Sequence, residues 1–588
     1  MKIKLWVTGI MVMGAAAMAA QQPNVLLIIS DDQGIGDFGF FGNKTVKTPT
    51  LDKLFESSAY FKTCIVGAAC SPSRASIMTG RNHMKTGVWG VGIKNNLLAD
   101  EVIMPAYFKA NGYATGYFGK MDGVFTSEWQ SWDRGCDEAS YPIGPTSYTH
   151  KDAIRLTQKG NVQTTGWTCD VDVDVDLTLD FIKRQGDKKW WCTTAFILPH
   201  MPWIADEEFV TPYLKAGCSE NLSKAYGCIS QMDAAVSRLL KGLEELGQVG
   251  NTIVVFLSDN GPTYNKNTEA EIKIRNSLGL RGQKAEAWDN GIRVPMLIHW
   301  QGKIAPGERF QLSSAEDILP TLVDLAGLNP GAFPSHLPFD GMSLRPVLED
   351  PNAPESERLI MRPSVRFIGG PSAVINDPAQ LKIDNKFQHY VLRGPRFKLH
   401  SLKDGTVELY DIKDDPGETK NVISEYPEVA ARYQAELNKQ YEELTQGGRA
   451  YRTPQIKIAR VPGRGNNRMR SGSAIRTFGE FQQYFQNYYY LRGFLKAGDS
   501  AEYKIEVLDP GMYQLRIEGS HFANNPSWRI EMNGTSYEPC TLTDELLVFD
   551  PMPFSRSGSQ SFSLSVESAG AGERPIPTWM IFKNMSGK

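Results

Sequence analysis

The sequence predicts an α/β domain with a mostly parallel sheet flanked by helices, followed by an appended β-sandwich. Residues 25–29 and 253–257 are uninterrupted apolar runs without alternation, as expected of strands buried on both faces of a parallel sheet. A helical stretch, residues 222–246, lies between them. Beyond residue 477 the apolar residues recur with a period of two between Gly, Pro and Asn turns, which favours a β-sandwich.

The chain opens with the pattern of a secretory signal peptide. Lys2 and Lys4 precede an apolar run over residues 5–18, which ends in small residues that fit an A-x-A cleavage site. The run is too short for a comfortable membrane span, and no later segment is a candidate for one. We therefore expect residues 1–20 to be removed and the mature protein to be exported, either to the periplasm or out of the cell.

Length, charge and cysteine content limit the possible classes. A chain of 588 residues is expected to hold two or three domains. The formal net charge of -3 argues against a general polyanion-binding surface, so we expect no nucleic-acid partner, and local positive charge must attract any anionic substrate. Eight cysteines are present, and an oxidising compartment would permit disulfides. Cys218 and Cys228 form a plausible bridge, while the remaining connectivity stays open.

A short motif around Cys70 carries the strongest functional signal. Cys70, Pro72 and Arg74 form Cys-x-Pro-x-Arg, which resembles the signature of the type I sulfatases. The resemblance implies that a formylglycine-generating maturation enzyme oxidises Cys70 to formylglycine. The hydrated aldehyde carries two hydroxyls on one carbon, so one can attack sulfur and the other can later expel sulfate, which a serine could not do. Taken alone, the motif could also be a buried cysteine in a Ser-rich turn.

Two acidic pairs follow the two apolar runs directly. Asp31 and Asp32 come after the first run, and Asp259 and Asn260 come after the second. Because ligands of open α/β sheets sit outside the carboxyl ends of the strands, both pairs are expected at one edge. Clustered carboxylates call for a cation, and an all-oxygen set suits calcium or magnesium rather than zinc. The sulfatase resemblance implies a calcium ion here, completed by an oxygen of the formylglycine formed from Cys70.

Four basic residues complete the predicted site. Arg74 lies four residues past Cys70, one turn if the motif opens a helix, and could hold the nucleophile by hydrogen bonds. Lys120 matches the family lysine that contacts both the hydrated aldehyde and the sulfate, and Lys284 matches the second sulfate-binding lysine. His200, in a His-x-Pro context, matches the family histidine beside the leaving-group oxygen. The resemblance implies that His200 is the general acid, with Lys284 sharing that role.

The sequence departs from the family pattern at two places. Gly-Lys-Trp-His is typical of the family, but this chain has Asp122 two residues after Lys120, and the missing histidine helps sulfate to leave. Three alternatives remain: Asp122 replaces the base, another histidine such as His83 or His150 approaches, or product release is slow. The second departure is Asp289, which begins Asp-Asn-Gly where Glu-Gly-Gly is common, and we interpret it as variation on the substrate side.

The resemblance also implies the domain organisation of the first 450 residues. It runs from about residue 23 to about residue 446 and indicates an alkaline-phosphatase-like α/β fold. We place the catalytic domain at residues 21–375 and a small C-terminal subdomain, built on a short antiparallel sheet, at residues 376–450.

Two further segments follow the subdomain. Residues 451–476 are rich in Gly, Asn, Ser and basic residues, which indicates a basic linker, with a patch that grips sulfated polymer as the alternative. Residues 477–588 resemble a jelly-roll carbohydrate-binding module. Sugar binding would need exposed aromatic rings, and Trp528, Phe522 and the tyrosines at 488–490 are available, but the same rings could fill the core.

These patterns together predict an exported, calcium-dependent sulfatase that acts on sulfate esters of a carbohydrate. A phosphonate monoester or phosphodiester hydrolase of the same superfamily is the alternative within enzymes. A non-catalytic glycan-binding protein with a relict site is the alternative from another class. The sugar, the sulfated position and the choice between endo and exo action depend on loops whose shape the sequence does not determine.

Overall fold

The structure is a computed structural model that describes most of the chain after the predicted signal peptide. The predicted signal peptide (1–20), Asp122, His150 and the tyrosines at 488–490 lie outside the described residues. The described residues are 22–88, 90, 97, 101–121, 131–142, 154–158, 160–163, 170–264, 267–276, 278–329, 337–364, 389–402, 404–446, 456–458, 468–470, 476–478, 482–483, 491–492, 494, 496–507, 509–525, 527–555, 557–568, 570–573 and 575–585.

An eleven-stranded mixed sheet forms the centre of the described catalytic region. Its strands in chain order are β1 (Asn24–Ser30), β2 (Ala59–Ile65), β3 (Ala114–Gly119), β4 (Glu138–Pro142), β5 (Ile154–Thr157), β6 (Gly160–Gln163), β7 (Trp190–Ala195), β8 (Thr252–Ser258), β9 (Arg293–His299), β10 (Gly307–Arg309) and β11 (Ser313–Ser314). Their spatial order is β10-β2-β9-β8-β1-β7-β3-β4-β5-β6, with β11 beside β2.

The middle of the sheet is parallel, as the sequence predicts. Strand β1 pairs in parallel with β7 and β8, and β3 pairs in parallel with β7 and β4. Strand β9 runs antiparallel to both β8 and β2, which makes the sheet mixed. Because β1, β3, β7 and β8 point the same way, the loops that follow them meet at one edge of the sheet.

Helices cover both faces of the sheet. In chain order they are α1 (Pro49–Glu56), α2 (Cys70–Thr79), α3 (Met104–Ala110), α4 (Asp170–Gln185), α5 (Glu207–Lys215), α6 (Glu220–Glu245), α7 (Glu269–Arg275), α8 (Asp289–Ile292), α9 (Ile318–Leu325), α10 (Arg345–Glu349) and α11 (Pro427–Gln446). Val25, Leu27 and Ile29 pack in one core cluster with α2, α3 and α9. Leu26 and Ile28 pack in a second cluster with α1, α4 and α6, which explains why the β1 run is apolar without alternation.

A four-stranded antiparallel sheet follows the central domain. Its strands are β12 (Ile360–Pro363), β13 (Tyr390–Arg393), β14 (Phe397–Ser401) and β15 (Val407–Asp411). Helix α11 packs on it through a shared cluster that contains Leu399, Tyr433 and Leu437. Strand β12 lies before the predicted boundary at residue 376. It nevertheless pairs with β13 and so belongs to the small sheet. The small sheet therefore begins earlier than the sequence predicts.

The C-terminal part contains two further six-stranded sheets and a two-stranded one. Their strands are β16 (Ile456–Ile458), β17 (Arg468–Arg470), β18 (Arg476–Phe478), β19 (Gln482–Gln483), β20 (Leu491–Arg492), β21 (Ser500–Val507), β22 (Gly511–Ser520), β23 (Trp528–Met532), β24 (Thr535–Tyr537), β25 (Pro539–Leu542), β26 (Leu546–Phe549), β27 (Met552–Phe554), β28 (Gly558–Val566) and β29 (Ile576–Asn584). One sheet is β16-β21-β28-β23-β24 with β18, and the other is β17-β29-β22-β26-β25 with β27. Inward side chains of both sheets form one core, so the predicted sandwich fold is confirmed.

Two sequence interpretations of this part need correction. The predicted linker contains β16 and β17, which pair with β21 and β29, so its described residues belong to the sandwich sheets. Each of these strands has only three residues, so the alternation of apolar and polar residues is too short to be recognised in this basic segment. Trp528 and Phe522 are 1% and 0% exposed, so these two rings fill the core and offer no face for a sugar.

The described cysteines are all free thiols, so the predicted bridge between Cys218 and Cys228 is wrong for this structure. Cys228 lies on α6 in the core beneath the central sheet, whereas Cys218 precedes that helix and packs in a separate cluster with Tyr213. Of the helices described, none is long and apolar enough to cross a membrane.

Candidate active site and metal centre

The loops at the carboxyl edge of the central sheet bring the predicted site residues together. Cys70 is the first residue of α2, five positions after β2 ends. Its Sγ lies 3.3 Å from Asp31 Oδ1 and 3.8 Å from Asp32 Oδ1, just beyond β1. Lys120, directly after β3, places its Nζ 3.5 Å from the same sulfur. The structure thus joins the motif at Cys70 to the acidic pair of β1.

Four side chains at this point could hold a metal ion. Ligand atoms of the group lie within 4.8 Å of one another, and its members are Asp31, Asp32, Cys70 and His200. Asp32 has a φ of 63°, a left-handed conformation that a non-glycine residue adopts at some energetic cost. Such strain is often found at functional sites, where the surrounding structure holds the residue in place.

The second predicted pair joins the first through Asp32. The Asp32 amide donates to Asp259 Oδ1 at 3.3 Å, and Asn260 Nδ2 donates to Asp32 Oδ1 at 2.9 Å. The remaining amide oxygen, Asn260 Oδ1, is buried and has no hydrogen-bond partner. A buried oxygen left free beside three carboxylates fits a ligand of a hard divalent cation. The donor set therefore suits calcium or magnesium, as the sequence predicts.

Electrostatics at the carboxylates support that fit. Burial opposes ionisation of Asp31, but Lys120, His200 and Arg74 together outweigh it and lower the pKa of Asp31. Burial also opposes ionisation of Asp32, but Lys284, His200 and Lys120 together outweigh it and lower the pKa of Asp32. Burial, reinforced by Asp31, raises the pKa of Asp259 to about 6. Asp259 keeps this raised pKa although Arg74 lies 2.8 Å from its Oδ2, so a bound cation would favour its ionised form.

Arg74 contacts different partners from those expected. Its Nε donates to Asp259 Oδ2 at 2.8 Å, and its Nη1 donates to the Lys120 carbonyl at 2.9 Å. Tyr117 donates its hydroxyl to the same carbonyl at 2.8 Å. No hydrogen bond from Arg74 to Cys70 is among the contacts recorded in the described region, so Arg74 acts on the site by holding Asp259 and Lys120. Tyr117 was not predicted, because a tyrosine within an apolar strand has the pattern of a core residue.

Lys284 and His200 mark the open side of the site. Lys284 Nζ lies 2.7 Å from Asp32 Oδ1, and His200 Nε2 lies 3.7 Å from Asp32 Oδ2. Both side chains are 20% exposed, whereas Cys70 and Lys120 are only 3% and 5% exposed. Among the described residues of the site, Lys284 and His200 are therefore the more accessible to a substrate.

The His200 ring has a defined orientation. Its Nδ1 lies 2.5 Å from the Met201 carbonyl, which can only accept a hydrogen bond, so Nδ1 carries a proton. Nε2 is then the nitrogen that faces the site and can exchange a proton there. Burial and the nearby Lys120 lower the pKa of His200, against the opposing effect of Asp31 and Asp32.

Two of the predicted positions lie elsewhere. His83 Nδ1 bonds to the Val88 carbonyl at 2.7 Å, and burial lowers the pKa of this histidine to about 4. Its electrostatic neighbours are Arg362 and Glu316, so among the described residues His83 does not belong to the site. Asp289 is fully buried among basic side chains, so our interpretation of it as variation on the substrate side is wrong. Asp122 and His150, which lie outside the described residues, remain predictions.

Gly119 is required where β3 delivers Lys120. Its φ is 106°, and a Cβ there would lie 2.0 Å from the Ala195 carbonyl, which also accepts the Lys120 amide at 2.7 Å. We expect Gly119→Ala to lower the free energy of unfolding by about 3 kcal/mol, from backbone strain plus the clash, and to displace Lys120. Denaturant unfolding and activity assays would measure both effects.

The matched control is Gly112→Ala, at φ 79° with its nearest neighbour atom 3.6 Å away. It carries the strain without the clash, so we expect a loss of about 1–2 kcal/mol and normal activity. Equal losses in the two variants would show that the clash at Gly119 is relieved by a small shift.

Comparisons with known proteins agree with this geometry. A family model described as Sulfatase matches residues 23–328. The arylsulfatase of Hemicentrotus pulcherrimus is 28% identical over 365 residues, and the match covers 56% of this chain and 63% of that protein, less than two thirds of its length. Arylsulfatase A of Homo sapiens is 26% identical over 480 residues, covering 70% of this chain and 86% of that protein. The crystal structure of Ps i-CgsB in complex with k-i-k-neocarrahexaose has a TM-score of 0.59 at 23% identity, covering 74% of this chain and 94% of that one, which supports the fold.

Proposed function

Because the chain belongs to the sulfatase family, whose members are sulfuric ester hydrolases, we propose that it hydrolyses sulfate esters of a carbohydrate. One observation carries the proposal. The Cys-x-Pro-x-Arg motif begins a helix at the carboxyl edge of the sheet, where Cys70 Sγ lies within 3.8 Å of Asp31, Asp32 and Lys120. A nucleophile position beside a cation site and two lysines suits attack on an anionic ester.

Two groups would complete the site. A calcium ion held by Asp31, Asp32, Asp259, Asn260 and residue 70 would supply positive charge for the sulfate oxygens and the nucleophile. Conversion of Cys70 to formylglycine by a maturation enzyme would supply a hydrated aldehyde, whose two hydroxyls serve attack and release.

The chain's own residues then divide the work. Arg74 holds Asp259 and the Lys120 carbonyl, so that Lys120 Nζ stays beside position 70. Lys284, on the open side, binds a sulfate oxygen and stabilises the charge that is spread over the transferring group. His200 donates the proton from Nε2 to the departing oxygen in its doubly protonated form, because its Nδ1 proton is fixed on the Met201 carbonyl. Asp31 and Asp32 favour that imidazolium against the effect of burial. Asp122 remains our proposal for the base that aids sulfate release.

The roles of His200 and Lys284 can be separated by the leaving group. A general acid matters most when the leaving alcohol is a poor one, so His200→Ala should lower the rate on a sugar sulfate on the order of 10²–10⁴-fold. Its effect on an aryl sulfate, whose phenolate leaves readily, should be much smaller. Lys284→Ala should lower both rates similarly, on the order of 10²–10³-fold, because it binds the sulfate in either substrate.

Steady-state kinetics on the two substrates would test this division of roles. His299, which bonds to the Ser57 carbonyl, provides a control, and His299→Ala should change either rate by less than about threefold. If His200→Ala slowed both substrates equally, then His200 would not be the acid, and the role would pass to Lys284.

The substrate class and location are the broader part of the proposal. A sulfated carbohydrate is supported by the neocarrahexaose bound to the structural neighbour Ps i-CgsB. The lysines at the start of the chain and the apolar run after them support export, to the periplasm or beyond the cell. The sandwich would then serve attachment to glycan, although its buried Trp528 and Phe522 are not the contacts.

A substrate panel is the direct test of the function. The protein made together with a maturation enzyme should release sulfate from an aryl sulfate and from at least one member of an array of defined sulfated sugars. It should act far more slowly on an aryl phosphonate and an aryl phosphodiester. Preference for either phosphorus ester would identify the alternative hydrolase, and inactivity on all esters with retained glycan binding would indicate a relict site.

A further inference from the structure

The loop that carries Lys284 is held to the catalytic edge by two backbone hydrogen bonds. The Lys284 amide donates to the Pro262 carbonyl at 2.8 Å, and the Ala285 amide donates to the Ala68 carbonyl at 2.6 Å. Ala285 has a φ of 72°, a conformation that an alanine keeps only when its surroundings enforce it. These contacts place Lys284 Nζ on Asp32. Further contacts hold the two ends of the loop.

One end of the loop is fixed by a buried ion-pair network. Asp289, five residues after Lys284, is fully buried. Its Oδ1 lies 2.9 Å from Lys398 Nζ and 3.5 Å from Arg393 Nε, and its Oδ2 lies 3.6 Å from Arg293 Nη1. Lys398 and Arg393 belong to β14 and β13, so the antiparallel sheet reaches across to the catalytic loop.

Glu418 closes the network on the other side of Lys398. Its Oε1 lies 2.9 Å from Lys398 Nζ, and its Oε2 accepts the Asp289 amide at 2.8 Å. Lys398, Glu418 and Asp289 are each 0% exposed. Replacing Lys398 by a neutral residue would leave the buried carboxylates of Asp289 and Glu418 next to each other with less positive charge to neutralise them. Removing one partner of such a buried ion pair is strongly destabilising.

The start of the loop is anchored to the same sheet. The Arg281 guanidinium carbon lies 3.5 Å from the centre of the Trp288 indole, and Trp288 stacks on His400 of β14 with ring centres 4.1 Å apart. Arg281 also donates to the Glu418 carbonyl at 3.1 Å. Both ends of the loop therefore rest on β14 and Glu418, with Lys284 between them.

The two histidines of the network act as neutral links. His400 Nε2 donates to Glu418 Oε1 at 2.7 Å, because a carboxylate oxygen accepts. In the neutral ring His400 Nδ1 is then an acceptor, and it accepts from His389 Nε2 at 2.8 Å. Burial, and then the neighbouring His400, lower the pKa of His389 to about 3. Lys398 is thus the cation that Asp289 and Glu418 share.

We propose that Lys398 is a positioning residue that, through Asp289 and Glu418, holds the loop delivering Lys284 to the sulfate. The proposal rests on the proposed function, because it assigns Lys284 to the sulfate group. It makes the antiparallel sheet part of the machinery that sets the geometry of the site. A purely structural role would instead stabilise the fold without acting through Lys284.

A double-mutant cycle separates the two roles. Lys398→Met keeps much of the side-chain length, and we expect it to lower kcat on an aryl sulfate about 10- to 100-fold, as for supporting partners of active-site groups. In the Lys284→Ala background, Lys398→Met should lower kcat by less than about threefold, because the lysine that Lys398 positions is already absent. Additive effects would overturn the proposal.

A measurement that does not depend on turnover completes the test. Hydrogen–deuterium exchange of the peptide covering residues 281–291 should increase in Lys398→Met relative to the wild type. Arg358→Met, which breaks a partly buried pair with Asp317 at 2.6 Å elsewhere in the fold, is the control and should leave exchange in that peptide unchanged. Unchanged exchange in Lys398→Met would also overturn the proposal.

If Lys398→Met does not fold, Glu418→Gln is taken through the same two measurements, because the amide keeps the shape and loses the charge. If the wild type hydrolyses no sulfate ester, the proposed function fails, and the exchange measurement still decides whether Lys398 holds the loop.

Discussion

Replacing Cys70 by alanine is expected to abolish sulfate-ester hydrolysis, with kcat/KM falling on the order of 10⁴-fold or more, as when other enzymes lose their nucleophile. Cys70 lies beside both the acidic pair and Lys120, with Sγ 3.3 Å from Asp31 Oδ1 and 3.5 Å from Lys120 Nζ. Alanine is a good residue at the start of a helix and leaves α2 intact. The loss should therefore appear in turnover and not in thermal stability.

Cys64→Ala is the matched control for that result. Cys64 is also a buried free thiol, six residues earlier on β2, and it packs in the core beneath the sheet. Its removal should cost about 1 kcal/mol of stability and leave activity within about threefold.

Peptide mass spectrometry adds a second measurement on the unaltered chain. Protein made with a maturation enzyme should carry formylglycine at position 70, and activity should follow the converted fraction. Full activity with an unmodified Cys70 would contradict the mechanism.

Removing the metal is expected to have a comparable effect. Exhaustive chelation should abolish activity, and added calcium should restore it. Asp31→Asn removes one formal charge and one oxygen ligand, so it should weaken metal binding by at least about 100-fold, because even outer partners of metal ligands are worth 10- to 100-fold. Calorimetry with calcium and with magnesium would measure the affinity and show which ion the site prefers.

Asp233→Asn provides the matched control for the metal prediction. Asp233 is another buried carboxylate, which accepts the amides of Thr50 and Leu51 at 3.0 Å and 2.8 Å. Its substitution should lower stability and leave the affinity for calcium unchanged. Full activity in metal-free protein would show that the carboxylates of Asp31, Asp32 and Asp259 are structural.

Sequence patterns located the parts of the site that depend on strand ends and on one short motif. The apolar runs of β1 and β8 predict buried parallel strands, and the residues that follow such strands must meet at one edge. That reasoning brought Asp31, Asp32, Asp259 and Asn260 together, and the structure confirms their proximity. The alternation beyond residue 477 likewise predicted the sandwich, because a period of two is a local property of the chain.

Side-chain partners could not be predicted in the same way. Arg74 was expected to bond to Cys70, but it lies on Asp259 and the Lys120 carbonyl, because the direction of its side chain depends on how α2 packs. An aspartate at position 289 could face either a substrate or a buried lysine, and the sequence does not distinguish the two. Only the packing of β13 and β14 against the catalytic loop shows that it faces Lys398.

The sequence by itself determined the fold class, the family motif at Cys70 and the strand-end carboxylates, since each is encoded in a few consecutive residues. Only the tertiary structure decided that Trp528 fills a core, that His83 lies outside the site among the described residues, and that β12 begins the small sheet. These outcomes depend on contacts between segments far apart in the chain. Burial and pairing across such distances follow from the packing of the whole molecule, which no local pattern records.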